Sequence, residues 1–301
     1  MDLKTSQALK AFKKESGQIN HMLITLYVGL DGIVSHNLSL NPNLHTSWNP
    51  KSKESSVDRS RIFVRKATIT WLVDCIDMYL KLINQAPLLL LPSEIKHAID
   101  GEEYSRSIYK RVQYLNSQFD LTVVETALID LLICWRNKMV HYDAENDITS
   151  DNRQLLLANK CIILKGFCGL DIVAVLKHFD ENIVPTFKEV TSLVRATINY
   201  IYQLDNILIN QLDLKSYADR IIIHYLREGK SKENENINHR INNIFSKDDS
   251  TKLRTIKQIL KQNGFMESEV TNEVDEFCEM IAQLDYRTAF ECLKNGSFLT
   301  Q

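Results

Sequence analysis

The chain has 301 residues, enough for one large core or two domains, and its 44% hydrophobic and 25% charged residues are an ordinary globular balance. Nine Gly and five Pro are under half of the roughly 12% that average usage gives, which argues against propellers, sandwiches and barrels with their many tight turns. Lys and Arg number 36 against 38 Asp and Glu, a net charge of −2, so nucleic acid would have to find a local basic patch rather than a bulk basic field.

Leu9, Phe12, Ile19, Met22, Leu23, Leu26 and Leu30 fall near helical spacing and predict a first helix over residues 5–34. Residues 35–58 read as a loop, with Pro42, Pro50 and a mixed polar run over 51–56 expected to be mobile. The second helix, 59–84, is sharper: Ile62, Ile69, Ile76 and Ile83 stand seven apart, and Leu72 and Tyr79 fill the other core position. Arg59, Arg61, Arg65 and Lys66 then occupy its first turns, where the helix dipole disfavours cations. They read either as a solvated helix start or as a phosphate-binding groove. Asp74 and Asp77, on the same apolar helix, read as a solvated face or as acids supporting a site.

Pro92-Ser93-Glu94 opens a short helix that Gly101 closes, and a third long helix is expected over 103–119. Tyr104, Tyr109 and Tyr114 recur every five residues, which matches no single helix face. Over 121–142, Val124, Leu128, Leu131, Trp135 and Met139 mark another helix, whose Trp135 and Met139 serve either a helix-packed interface or an intramolecular core. Further helices are expected over 153–167, 170–179 and 185–212, the last opened by Pro185 in its first turn and striped by Val190, Val194, Ile201, Leu204 and Leu208. These elements make a bundle assigned to residues 1–213. Residues 214–301 form a smaller accessory unit, with a polar linker over 229–236 and helices over 250–262, 267–282 and 285–295. The fold class is all-α: a helical bundle with a long antiparallel helix core and a smaller C-terminal helical appendage.

Neither G-x-G-x-x-G nor G-x-x-x-x-G-K-[ST] occurs, so the usual phosphate cradles are missing. The six Cys (75, 134, 161, 168, 278 and 292) form no C-x-x-C and are expected as buried free thiols. No His pattern suits a metal, so neither metal nor cofactor is expected. The first 14 residues lack an apolar signal core and no apolar run approaches a membrane span, which points to a cytoplasmic protein without membrane contact.

The 121–142 helix ends in Trp135-Arg136-Asn137-Lys138-Met139-Val140-His141-Tyr142. Imidazole titrates near neutrality and suits proton transfer, and a helix C-terminus followed by Asp143, Glu145 and Asp147 favours its charged form. Arg136 suits a phosphate, because its planar guanidinium donates two parallel bonds and stays charged. Asn137 stands four residues before His141, on the same helical face, and could orient the ring or bind a phosphate oxygen. Arg136 and His141 are five apart, about 140° around a helix, so the long Arg side chain must bend round to share a site. Arg220 and His224 stand one residue too close for this pattern and read as a helix-surface pair.

Arg136, a polar residue directly after it, four intervening residues and His141, at the end of an apolar helix, resemble the signature of the HEPN family, helical proteins that include many metal-independent ribonucleases. The resemblance spans about 59–212 as architecture and about eight residues as motif. It implies RNA as substrate, Arg136, Asn137 and His141 as catalytic residues, and a homodimer in which two motifs face one cleft. Lys138, Tyr142, Arg61, Arg65 and Lys66 are then candidate RNA-binding residues. It further implies a toxin or antiphage-defence effector with an antitoxin or defence-system partner. A family subgroup carries Tyr two residues after the His; here Tyr142 is one residue after and position 143 is Asp, so control by Tyr modification is not implied. The competing readings are a non-enzymatic helical scaffold or immunity factor that binds RNA or protein, a helical partner of a nucleotide-transferring enzyme, and an Arg136 that simply pairs with Asp130 or Asp143.

Overall fold

The computed structural model describes residues 1–36, 38–140, 147–228 and 237–299. In chain order these give β1 (Asp2–Leu3), α1 (Gln7–Ser35), a 3-10 turn (Pro42–Leu44), α2 (Lys53–Ile83), α3 (Ser93–Asp100), α4 (Glu102–Ser105), α5 (Ile108–Gln118), α6 (Val123–Val140) and α7 (Ser150–Ala158). There follow α8 (Lys160–Gly166), α9 (Ile172–Asp180), α10 (Phe187–Asn210), α11 (Leu214–Glu228), α12 (Ile237–Phe245), α13 (Asp249–Gln262), β2 (Phe265–Met266), α14 (Glu273–Ala282) and α15 (Tyr286–Asn295). The protein is an all-α helical bundle whose one sheet, among the described residues, is the antiparallel pair β1–β2. No helix among them is long and apolar enough to cross a membrane.

Two compact units divide the chain. One comprises Ala11–Met78 and Ala98–Leu204; the other comprises Met1–Lys10, Tyr79–His97 and Asp205–Gln301. The sequence reading cuts once, after residue 213, whereas the units trade segments at 10, 78, 97 and 204. Local periodicity cannot reveal such exchanges. In the second unit they are fixed by the fully buried Asp205, which accepts hydrogen bonds from the Ser6 hydroxyl, the Ser6 amide at 3.2 Å and the Tyr79 hydroxyl at 3.0 Å. Three distant stretches thus satisfy one carboxylate that would otherwise be costly to bury. Around it, α11 packs against α12, α13, α14 and α15.

In the first unit, α6 packs against α5 and α7, and α9 packs against α7 and α8. The α2 repeat behaves as its spacing predicts at Ile69, Leu72, Ile76, Tyr79 and Ile83, all fully buried, but Ile62 is 39% exposed. The stripe of α10 (Val190, Val194, Ile201, Leu204, Leu208) is buried throughout.

Helix ends are where the structure departs from the sequence reading, and capping explains most departures. Helix α2 begins at Lys53, with the Ser52 hydroxyl accepting from the Ser55 amide at 3.1 Å and Glu54 in the first turn, so residues 53–58 are helical rather than loop. Arg59 to Lys66 therefore lie beyond the first turn, and the apparent conflict with the dipole disappears. Ser107 caps α5 by accepting from Lys110, splitting the expected 103–119 helix. Asn159 interrupts the expected 153–167 helix. Thr186 and Glu189 form a reciprocal cap on α10, the Thr186 amide donating to Glu189 at 2.6 Å and the Glu189 amide to Thr186 at 3.3 Å, so Pro185 lies outside the helix instead of in its first turn. Helix α14 starts at Glu273 under the capping box of Asn272 and Asp275, not at 267, because residues 265–266 are committed to β2. Helix α12 has no counterpart in the sequence reading, and of α11 only the Arg220–His224 turn does. Arg220 is no surface group: it is half-buried and donates to the Leu89 carbonyl at 3.0 Å, while its neighbour His224 does sit near Glu228. Of the six thiols, Cys161 and Cys168 are exposed.

Gly264 closes α13 at φ 105°, and a Cβ there would stand 2.7 Å from the Thr5 carbonyl oxygen. Both the left-handed backbone and the close approach require glycine. Gly264→Ala is expected to lower stability by about 2 kcal/mol or more, read from the midpoint of urea denaturation; an unchanged midpoint would show that the turn adapts freely.

Candidate functional site

Helix α6 is buried on every side: eleven of the twelve residues from Val124 to Trp135 are core, including the charged Glu125 and Asp130. A helix apolar all round belongs inside its domain. Burial stops at Arg136, where the sequence turns polar. Trp135 anchors this transition, its indole N–H donating to the Ile183 carbonyl at 3.2 Å and its ring meeting Phe179 edge-on at 6.1 Å. Trp135 thus serves the intramolecular core.

Just past that anchor, Arg136 and Asn137 line a polar cleft of about 320 Å³. Its other walls come from Asp74 and Asp77 of α2 and from Arg106, Ser107, Ile108, Tyr109 and Arg111 at the α4–α5 joint. Arg136 Nη1 donates to Asn137 Oδ1 at 2.9 Å, and its Nη2 lies 3.8 Å from Asp74. Asp74 is 69% exposed, so that ion pair is weak. Arg111 pairs with Asp77, and both are largely buried. The two aspartates weighed as solvated or supporting groups are therefore part of the cleft wall.

Asp130 does not pair with Arg136. It is fully buried and accepts from Gln113 at 3.0 Å, from Asn152 at 2.7 Å and from Tyr109, so it ties α5, α6 and α7 together and holds the Tyr109 ring at the cleft. Burial raises the Asp130 pKa above the usual carboxylate range, against the opposing pull of the Asn152 and Tyr109 hydrogen bonds. Burial and the nearby Asp130 charge also push up Tyr109. Burial pushes the Cys134 thiol up to about 12, which makes it an inert core thiol.

The remaining candidates are dispersed. Lys138 turns away to Asp147, at 2.7 Å, and lies over the Phe179 ring. Arg61 is held by Asp31 and by Asp58 at 2.9 Å, and Arg65 donates to the Pro185 carbonyl at 3.0 Å. Lys66, partly buried on α2, does not line the cleft. His141, Tyr142 and Asp143 lie outside the described residues. Sequence reasoning missed Arg106 and Arg111, gave Tyr109 no role, and offered Asp130 only as a partner for Arg136. One signal was available: Asp130 is a carboxylate inside an apolar run, seven residues before Asn137 and so on the same helical face. Among the described residues no group of three or more His, Cys, Asp or Glu is placed to hold a metal ion. Compared with family models, curated proteins and solved structures, the chain matches none.

The buried Asp130 gives a test of this framework. With its folded pKa raised above the unfolded value of about 3.9, the native state holds the proton more tightly, so its contribution is greatest below about pH 4 and falls as pH rises through the folded pKa. The stability difference between wild type and the non-titrating Asp130→Asn is expected to shift against wild type from pH 4 to pH 7 in denaturant titrations. A difference that is flat or moves the other way contradicts the raised pKa.

Proposed function

We propose that the protein is a metal-independent endoribonuclease of the HEPN type. The observation that carries this reading is the position of Arg136 and Asn137, at the polar end of an otherwise buried helix and lining one cleft. Rigid core elements place functional groups more accurately than loops do. In the proposed reaction the RNA 2′-hydroxyl loses its proton to a base and attacks the adjacent phosphorus. The bond to the 5′-oxygen breaks, an acid protonates that oxygen, and a cyclic phosphate and a free 5′-hydroxyl result. Arg136 binds the phosphate oxygens on which charge develops. His141, assigned by the sequence motif, transfers protons, and Asn137 positions the ring or the phosphate.

One imidazole per chain makes a thin catalytic set, and a homodimer with two motifs at one cleft would divide the acid and base roles. In support, α1 and α2 expose an apolar groove lined by Met22, Leu26, Phe63 and Trp71, with Phe63 71% and Trp71 50% exposed. Trp71 stands one turn before Asp74 on the same helix. A toxin or antiphage-defence role, with an antitoxin or defence-system partner, rests on the family resemblance.

The same groove favours a second reading, a non-enzymatic scaffold that binds a protein partner or RNA. One assay separates the two. Single-stranded RNA incubated with the protein in EDTA is expected to be cleaved, with the rate reduced about 10²-fold or more by His141→Ala. Equal cleavage by wild type and His141→Ala would remove His141 from the mechanism. RNA binding without cleavage, unaltered by that substitution, would establish the scaffold.

A further inference from the structure

The cleft contains more cation than the motif accounts for. Three guanidiniums (Arg106, Arg111 and Arg136) face two carboxylates (Asp74 and Asp77). Arg106 is exposed and its side chain makes no hydrogen bond or ion pair among the described residues. Arg111 is only 9% exposed, and its Nε, like that of Arg136, is buried without a hydrogen-bond partner among the described residues. An unpaired N–H on a buried cation is costly unless something else satisfies the group. The backbone adds to the imbalance. Ser107, Ile108 and Tyr109 are the cap and first two residues of the eleven-residue α5, so the positive end of its dipole also lies at the cleft wall. The Ser107 hydroxyl satisfies the Lys110 amide and leaves the two amides before it available.

We propose that Arg106, Arg111 and the N-terminus of α5 form a phosphate-binding subsite beside Arg136, and that its ligand is a backbone phosphate of single-stranded RNA. This rests on the ribonuclease reading for the choice of ligand. Arg136 binds the phosphate that reacts; Arg106 and the start of α5 bind a neighbouring one. Asp77 holds Arg111 in place and Asp74 limits the excess charge. A chain of net charge −2 thereby obtains a local cationic surface without a basic face. Tyr109, fixed by Asp130, presents its ring at the same wall, where bases of single strands commonly stack.

The test uses the full chain and a fully 2′-O-methylated RNA oligonucleotide, which cannot undergo 2′-hydroxyl attack, so binding is read without cleavage. Arg106→Ala changes an exposed side chain with no partner among the described residues, and its melting temperature is expected to match wild type. The slope of log Kd against log salt is expected to fall by about 0.7 in Arg106→Ala, the value for one lost phosphate contact on a single strand, and inorganic phosphate is expected to compete with the oligonucleotide for wild type. An unchanged slope and affinity in Arg106→Ala overturns the subsite. Phosphate binding without oligonucleotide binding overturns RNA as its ligand. Cleavage of unmodified RNA alongside an unchanged slope refutes the subsite and leaves the ribonuclease standing; an Arg106-dependent slope with no cleavage of unmodified RNA does the reverse.

Discussion

The complete burial of α6 is the constraint on which the candidate site depends. A helix with core contacts on all sides has no freedom to rotate or slide without breaking its packing. Trp135, held by its hydrogen bond to Ile183 and its edge contact with Phe179, is the last residue under that constraint. Arg136 and Asn137 come one and two residues later, so the core sets where their backbone stands. The only movable part of the Arg136 position is its side chain, and Asn137 restrains that.

The cleft itself is a product of four helices, α2, α5, α6 and α7, that meet at buried charge. Asp130 inside α6 is satisfied from α5 and from α7, and the Arg111–Asp77 pair joins α5 to α2. These groups are expensive to bury and are stable only as complete sets, which makes the geometry specific. The same interactions bring Arg106, Tyr109 and Arg111 to the motif. Electrostatics at this site therefore follow from packing: the chain is nearly neutral overall, yet the cleft collects an excess guanidinium and a helix N-terminus.

Much of the fold was legible because helices buried on one stripe show it as periodicity. The α10 stripe and the α2 repeat from Ile69 onward were read correctly for that reason. Ile62, at the outer end of the same repeat, is exposed because a heptad says only which residues share a face, not whether another element covers it. Boundaries failed where a single cap outweighed the pattern, as with Ser52, Ser107 and the Thr186–Glu189 pair. In α11 the spacing places Arg220 and His224 on a helix surface, but Arg220 and Asp219 are half-buried and buried partners of Leu89 and Phe298, which spacing alone does not show.

By itself the sequence determined an all-α chain, the apolar stretch of helix up to Trp135, and the polar Arg136-Asn137 that follows on the same helix, since composition and periodicity are local properties. Only the tertiary structure decided that Asp74, Asp77, Arg106, Tyr109 and Arg111 share a cleft with them, that Arg61, Arg65 and Lys138 are engaged elsewhere, and that Met1–Lys10 and Tyr79–His97 belong with the C-terminal residues. Those assignments depend on which distant residue answers each buried charge, and sequence spacing holds no record of that pairing.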